Sequence, residues 1–165
     1  MTYLPFGRTF GTIDECIVIK RPVEHVFSFY DDFRNLPNFL GDVVRIQVVG
    51  DFTSRWTVQA PLGLALNWTV IVTDNQPNSR VAYRTVSMAA SVCWDVTFSP
   101  GPQADTTLVR EVMSMPGGLI GRAVLGAIGK PPAKELRANL KRLKEFLETG
   151  HVSTMDYAIT GKFSP

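Results

Sequence analysis

Cysteine is scarce in these 165 residues, with Cys16 and Cys93 the only two. Two thiols make no disulfide framework, so both are expected to be free and buried. Histidine is as rare. His25 and His151 have no partner at ligand spacing, which argues against zinc; neither a metal nor another cofactor is expected. The formal net charge is only +2, and no basic run with interleaved aromatics is present, so no nucleic-acid partner is expected. No stretch reaches the ~18 apolar residues of a membrane span, which excludes stable insertion by a helix. Residues 1–9 hold no apolar signal core, and a cytoplasmic setting is the expectation. Phosphate loops, dinucleotide fingerprints and nucleophile elbows are missing too. Ser114 and Cys93 have no candidate base nearby in sequence.

What is present is an ordinary globular composition, 45% hydrophobic and 19% charged, in a length that suits one domain. Residues 12–20 are β-prone. Pro22 opens a short helix over 22–31 with Val23, Val26, Phe27 and Tyr30 at helical spacing. A second helical turn is expected around Asn35–Leu40, ended by Gly41. Strands follow at 43–50, 53–60, 64–74, 79–87, 91–99 and 105–114, separated by short turn-prone breaks that point to an antiparallel meander. Leu64, Leu66, Trp68, Val70 and Val72 alternate against Asn67, Thr69 and Thr73, the mark of a half-buried strand. Val92, Trp94, Val96 and Phe98 alternate likewise, as do Trp56, Val58 and Ala60.

Pro131 and Pro132 start a long helix to about Thr149. Leu136, Leu140, Leu143 and Leu147 form one buried stripe on it, and Gly150 is placed to cap it. The domain is expected to span 1–150, with 151–165 a loose tail. A curved antiparallel sheet needs one face covered, and this helix is the one element long enough, at about 27 Å. The fold class is therefore α+β: a curved seven-stranded antiparallel sheet wrapped around a long C-terminal helix, with two short helices after the first strand.

The run Arg21-Pro22-Val23-Glu24-His25-Val26-Phe27, then Asp32-Phe33-Arg34-Asn35-Leu36-Pro37-Asn38-Phe39, Trp68, Pro116-Gly117-Gly118 and the closing Leu140–Gly150 segment resemble the START-like superfamily. This is the helix-grip group that includes bacterial polyketide cyclase/dehydrase and lipid-transport proteins and plant pollen allergens. The resemblance covers residues 12–150. It implies an internal hydrophobic cavity; the fold hosts carriers, sensors and enzymes alike. Aromatase/cyclases of the superfamily use an inward arginine with nearby aromatics. The positions that would match, a Trp before the motif proline and an Arg four residues after the strand Trp, are Leu36 and Val72 here. That departure argues against the same cyclisation.

Trp56, Trp68 and Trp94 all fall on the apolar phase of their strands. They either pack the core or line the cavity and stack on a flat ligand, with an indole N–H to orient it. Val70, Val96 and Met113 on the strands and Leu136 and Leu140 on the helix are expected to join them. Glu111 is the most informative acid. Alternation leaves open whether Glu111 or Arg110 points inward, and an edge-strand ion pair with Arg84 or another surface arginine is the plainer reading of Glu111. A carboxyl on an apolar face would have a raised pKa. Arg84 and Tyr83 are the other candidate catalytic groups. The segment 117–130, with five glycines around Leu119, Ile120 and Val124, either packs its backbone closely against the sheet, where only glycine fits, or is a candidate lid. The helix face Lys134, Arg137, Lys141 and Lys144 is a solvated surface or a transient contact for an anionic membrane or an acidic carrier protein. A strong acid–base pair is lacking. The favoured expectation is therefore a protein that binds a small hydrophobic or aromatic ligand, lipid, isoprenoid or polyketide-like. The alternatives are a cyclase, aromatase or dehydratase, and a regulatory interaction domain with a vestigial cavity.

Overall fold

The computed structural model describes residues 9–86, 91–116 and 131–164. Seven strands form one antiparallel sheet: β1 (Thr9–Ile19), β2 (Val43–Gly50), β3 (Thr53–Gln59), β4 (Ala65–Gln76), β5 (Arg80–Val86), β6 (Cys93–Pro100) and β7 (Thr107–Pro116). Their order across the sheet is β1-β7-β6-β5-β4-β3-β2. A simple meander thus runs from β2 to β7, and β1 closes onto β7. Helix α1 (Val23–Asp31) buries Val26, Phe27 and Tyr30. A 3-10 helix, Phe33–Asn38, follows it. It starts earlier than expected because the Asp32 side chain accepts from the Arg34 N–H at 3.1 Å, fixing the first turn. The β4–β5 turn is tighter than expected. Asn78 takes φ +58, a conformation its short amide tolerates, and β4 can then run on to Gln76.

Helix α2 (Pro132–Thr149) ends at Gly150, whose φ is +75 and whose N–H bonds the Phe146 carbonyl at 2.8 Å. Leu136, Leu140, Leu143 and Leu147 are all buried against the sheet. Each contributes about 1.5–3 kcal/mol by leaving water, so this stripe seats the helix on the concave face. The core beneath joins Ile19, Tyr30, Phe39, Val70, Val96 and Val109.

Two expectations need correction. Cys16 and Cys93 are free but exposed. They sit on the convex phase, where Cys16 faces Arg110 across the β1–β7 ladder and Cys93 faces Ser114 across β6–β7. The stretch after α2 is not loose over its described length. Val152 and Thr154 are buried. Arg142, with no exposed surface, donates to the Phe39 carbonyl at 2.7 Å and to the carbonyls of Thr154 and Asp156. The Glu145 carboxylate accepts from the backbone and hydroxyls of both Ser153 and Thr154. These polar anchors carry no apolar periodicity, which is why the segment reads as a tail. A Cβ on Gly41 would stand 2.6 Å from Arg142 Nη2 and 2.7 Å from the Tyr157 carbonyl; only glycine lets the chain pass there.

Candidate ligand-binding cavity

Strand alternation carries the aromatic residues to the concave face. Trp56 on β3 is paired in register with Trp68 on β4, and Tyr83 on β5 with Trp94 on β6. Tyr83 and Trp94 stack at 5.2 Å with planes 14° apart, and Trp56 lies 5.9 Å from Tyr83. Phe33, brought in by the 3-10 helix, meets Trp56 and Tyr83 edge-on. Between this aromatic floor and the first turns of α2 lies a cavity of about 90 Å³. All three tryptophans and Tyr83 line it, with Met113 and Met115 from β7 and Leu136 from α2. The polar lining is Asp42, Glu111, Glu135 and Asn139.

Val70, Val96 and Leu140, expected at the wall, are buried in the core cluster and do not line the space. Arg84 is placed away from it. It sits on the convex phase, in register with Ile71 and Cys93, because Tyr83 takes the inward position. The lid residues Leu119, Ile120 and Val124 lie outside the described residues. The Trp56 indole N–H is held by Ser54 Oγ at 2.8 Å, so it is not the group that orients a ligand.

Glu111 is the inward residue of β7. Arg110 points out and pairs with Asp14; Arg84 is on that outer phase too, so the expected ion pair between Glu111 and Arg84 does not form. Glu111 is 3% exposed. Burial pushes its carboxyl up to about 8, because a charge in an apolar wall has lost its water. Tyr83 and Tyr30 bond each other through their hydroxyls at 2.9 Å. Burial, and then the neighbouring Glu111, hold both phenols well above their ordinary pKa.

Leu40, Asp42 and Val43, which precede and open β2, form part of the wall, and sequence reasoning did not single them out. The signal was Gly41, whose close approach to Arg142 fixes this connection. On the basic face of α2, Arg137 pairs with Glu15 at 2.6 Å and Lys144 donates to the Val18 carbonyl at 2.7 Å. Half of that face therefore ties the helix to β1. Two larger grooves, of about 370 and 360 Å³, lie elsewhere. The first is rimmed by Asp31, Asp32, Arg34 and Asp51, and the second is wholly polar, from Arg45 to Asn67. The first has Phe33 and Phe52 at its wall, but neither gathers tryptophans as the smaller cavity does. Among the described residues no helix is long and apolar enough to cross a membrane, and no cluster of metal-ligating side chains occurs.

Comparison with known proteins places the fold in a family. The family described as polyketide cyclase/dehydrase and lipid transport matches residues 11–148. An uncharacterised 17.2 kDa protein of Streptomyces lincolnensis is 25% identical over 138 residues, covering 82% of this chain and 89% of its own. A crystal structure from Deinococcus radiodurans is 27% identical with a TM-score of 0.66, over 85% of this chain and 99% of its own. A START superfamily protein from Mycobacterium smegmatis shares the fold at a TM-score of 0.62 and 13% identity, over 82% of this chain and 98% of its own. With the match running from β1 to the last turn of α2, the chain belongs to the polyketide cyclase/dehydrase and lipid transport family and has its START-like helix-grip fold.

Proposed function

We propose that the protein binds a small apolar or aromatic ligand in the cavity under α2, as a carrier or sequestering protein. The observation behind this reading is the convergence of Trp56, Trp68, Trp94 and Tyr83 on one space that Leu136 also lines. Most ligand pockets have such an apolar lining with a few polar groups. The size of the space narrows the ligand. An engineered apolar cavity of ~150 Å³ holds benzene, so a single ring entering about 90 Å³ must push side chains aside. Met113 and Met115 are the groups suited to that, being unbranched and adaptable.

The test is a titration with ethylbenzene, followed by the indole N–H resonances in a nitrogen-labelled sample. Saturable shifts of Trp68 and Trp94 are expected, and Met113→Phe, which fills the space, should weaken them at least tenfold without changing the unliganded fold. Shifts that stay linear with concentration would sink the binding role and favour the interaction-domain alternative. A catalytic reading, as cyclase or dehydratase, has one observation in its favour: Glu111 and Tyr83 both line the cavity, within reach of whatever fills it. Turnover lost in Glu111→Gln with ligand affinity kept would distinguish it from carriage.

A further inference from the structure

Glu111 is a buried acid without a partner among the described residues. On β7 it lies between Val109 and Met113 on the concave phase, with Val96 of β6 and Glu15 of β1 directly across the two ladders. Its carboxyl borders the cavity, yet among the described residues no hydrogen bond or ion pair reaches it. The cations on neighbouring positions are taken. Arg110 is turned outward to Asp14, and Arg137 of α2 is bonded to Glu15. The phenols of Tyr83 and Tyr30 are engaged with each other. Buried polar groups are almost always satisfied, and leaving one unmade is costly. A group left open toward a cavity is therefore matched by what enters that cavity.

We propose that Glu111 sets ligand specificity: the bound molecule carries an uncharged oxygen acceptor that takes a hydrogen bond from the Glu111 carboxyl, and molecules with a carboxylate are refused. This deepens the binding function proposed above and rests on it. Burial keeps the proton on Glu111 at neutral pH, with its pKa at about 8, so the group is a donor there. The described lining holds three carboxyls, Asp42, Glu111 and Glu135, and no Lys, Arg or His. A carboxylate ligand would lose its water and gain no counter-charge from the described lining. A ketone oxygen loses less and gains the Glu111 proton.

Three probes of one size separate these terms: ethylbenzene, acetophenone and benzoate, titrated calorimetrically at pH 6 into the whole protein. A fourth, benzylamine, tests whether the site instead favours a cation. In the unaltered protein, benzoate should bind at least tenfold more weakly than acetophenone. The acetophenone-to-ethylbenzene affinity ratio should fall about fivefold in Glu111→Leu, the loss of one net hydrogen bond. Glu111→Gln, which still offers an N–H, should keep the ratio. An unchanged ratio in the leucine variant, a ratio lost equally in the glutamine variant, or benzylamine binding tighter than acetophenone would each overturn the proposal. If ethylbenzene binds and the ratio does not respond to Glu111, the cavity stands and only the specificity fails. If no probe binds at all, the binding function itself falls and takes this proposal with it.

Discussion

Glu111 is the residue at which sequence and structure part most instructively. Both phases of β7 carry apolar side chains: Val109 and Met113 on one, Leu108 and Val112 on the other. Alternation alone therefore does not say which of Arg110 and Glu111 faces inward. Pairing decides it, because Asp14 on the outer face of β1 offers Arg110 a partner there. An inward, unpaired carboxyl must cost stability at neutral pH. Its pKa is raised from 4.5 to about 8, so the folded state holds a proton that the unfolded chain releases. The stabilisation is full below the unfolded value and is lost as pH rises through about 8. The slope is about 1.4 kcal/mol per pH unit over that window, or on the order of 3 kcal/mol by pH 7. The other ionisable groups lining this pocket are Tyr83 from β5, Glu135 from α2 and Asp42; Tyr30 from α1 and Glu15 from β1 lie beside Glu111 without lining it. Glu111→Gln leaves all of these in place, so comparing the two proteins isolates Glu111. Urea unfolding between pH 5 and 8 should show the glutamine variant gaining on the parent with each step upward. Parallel curves would show that Glu111 is not buried unpaired.

At the scale of elements, the leucine stripe of α2 was plain from spacing, and it is buried as expected. The polar stripe beside it is not legible from spacing. Glu135, Asn139 and Arg142 recur at i, i+4 and i+7, all buried, and a polar series at helical spacing is easily taken for a solvated face. Arg142 instead gathers the Phe39 carbonyl, the Asn139 side chain and the carbonyls of Thr154 and Asp156. The Asn139 oxygen also accepts from Gly41 N–H at 3.0 Å. Residues 151–164 therefore latch onto the connection between the 3-10 helix and β2, which walls the cavity. The family match ends at residue 148, so this latch lies beyond the shared fold. Truncation after Gly150 would leave a buried guanidinium short of acceptors. A loss of about 3 kcal/mol is expected, comparable to breaking a buried ion pair. Gly41→Ala, whose Cβ would strike Arg142, should destabilise in the same direction. Denaturant midpoints unchanged in both variants would mean that the latch carries no energy.

For the whole molecule, the element order and the curvature of a one-sided sheet were enough to anticipate a helix gripped by seven strands, because each strand alternates and each break is short. The cavity was legible only in outline. The sequence shows which residues lie on the concave phase. It does not show which of them touch one another and which leave space. Val70 and Val96 share that phase with Trp68 and Trp94 yet fill the core instead. The central claim is that a ligand sits between Trp94 and Leu136, beside Glu111. The most direct measurement is a crystal structure of the whole protein grown with acetophenone. The account predicts the ring between the indole of Trp94 and Leu136, with its oxygen within hydrogen-bond distance of the Glu111 carboxyl. Acetophenone found only in the outer grooves near Phe52 or Arg55, with the space under α2 unchanged, would contradict it.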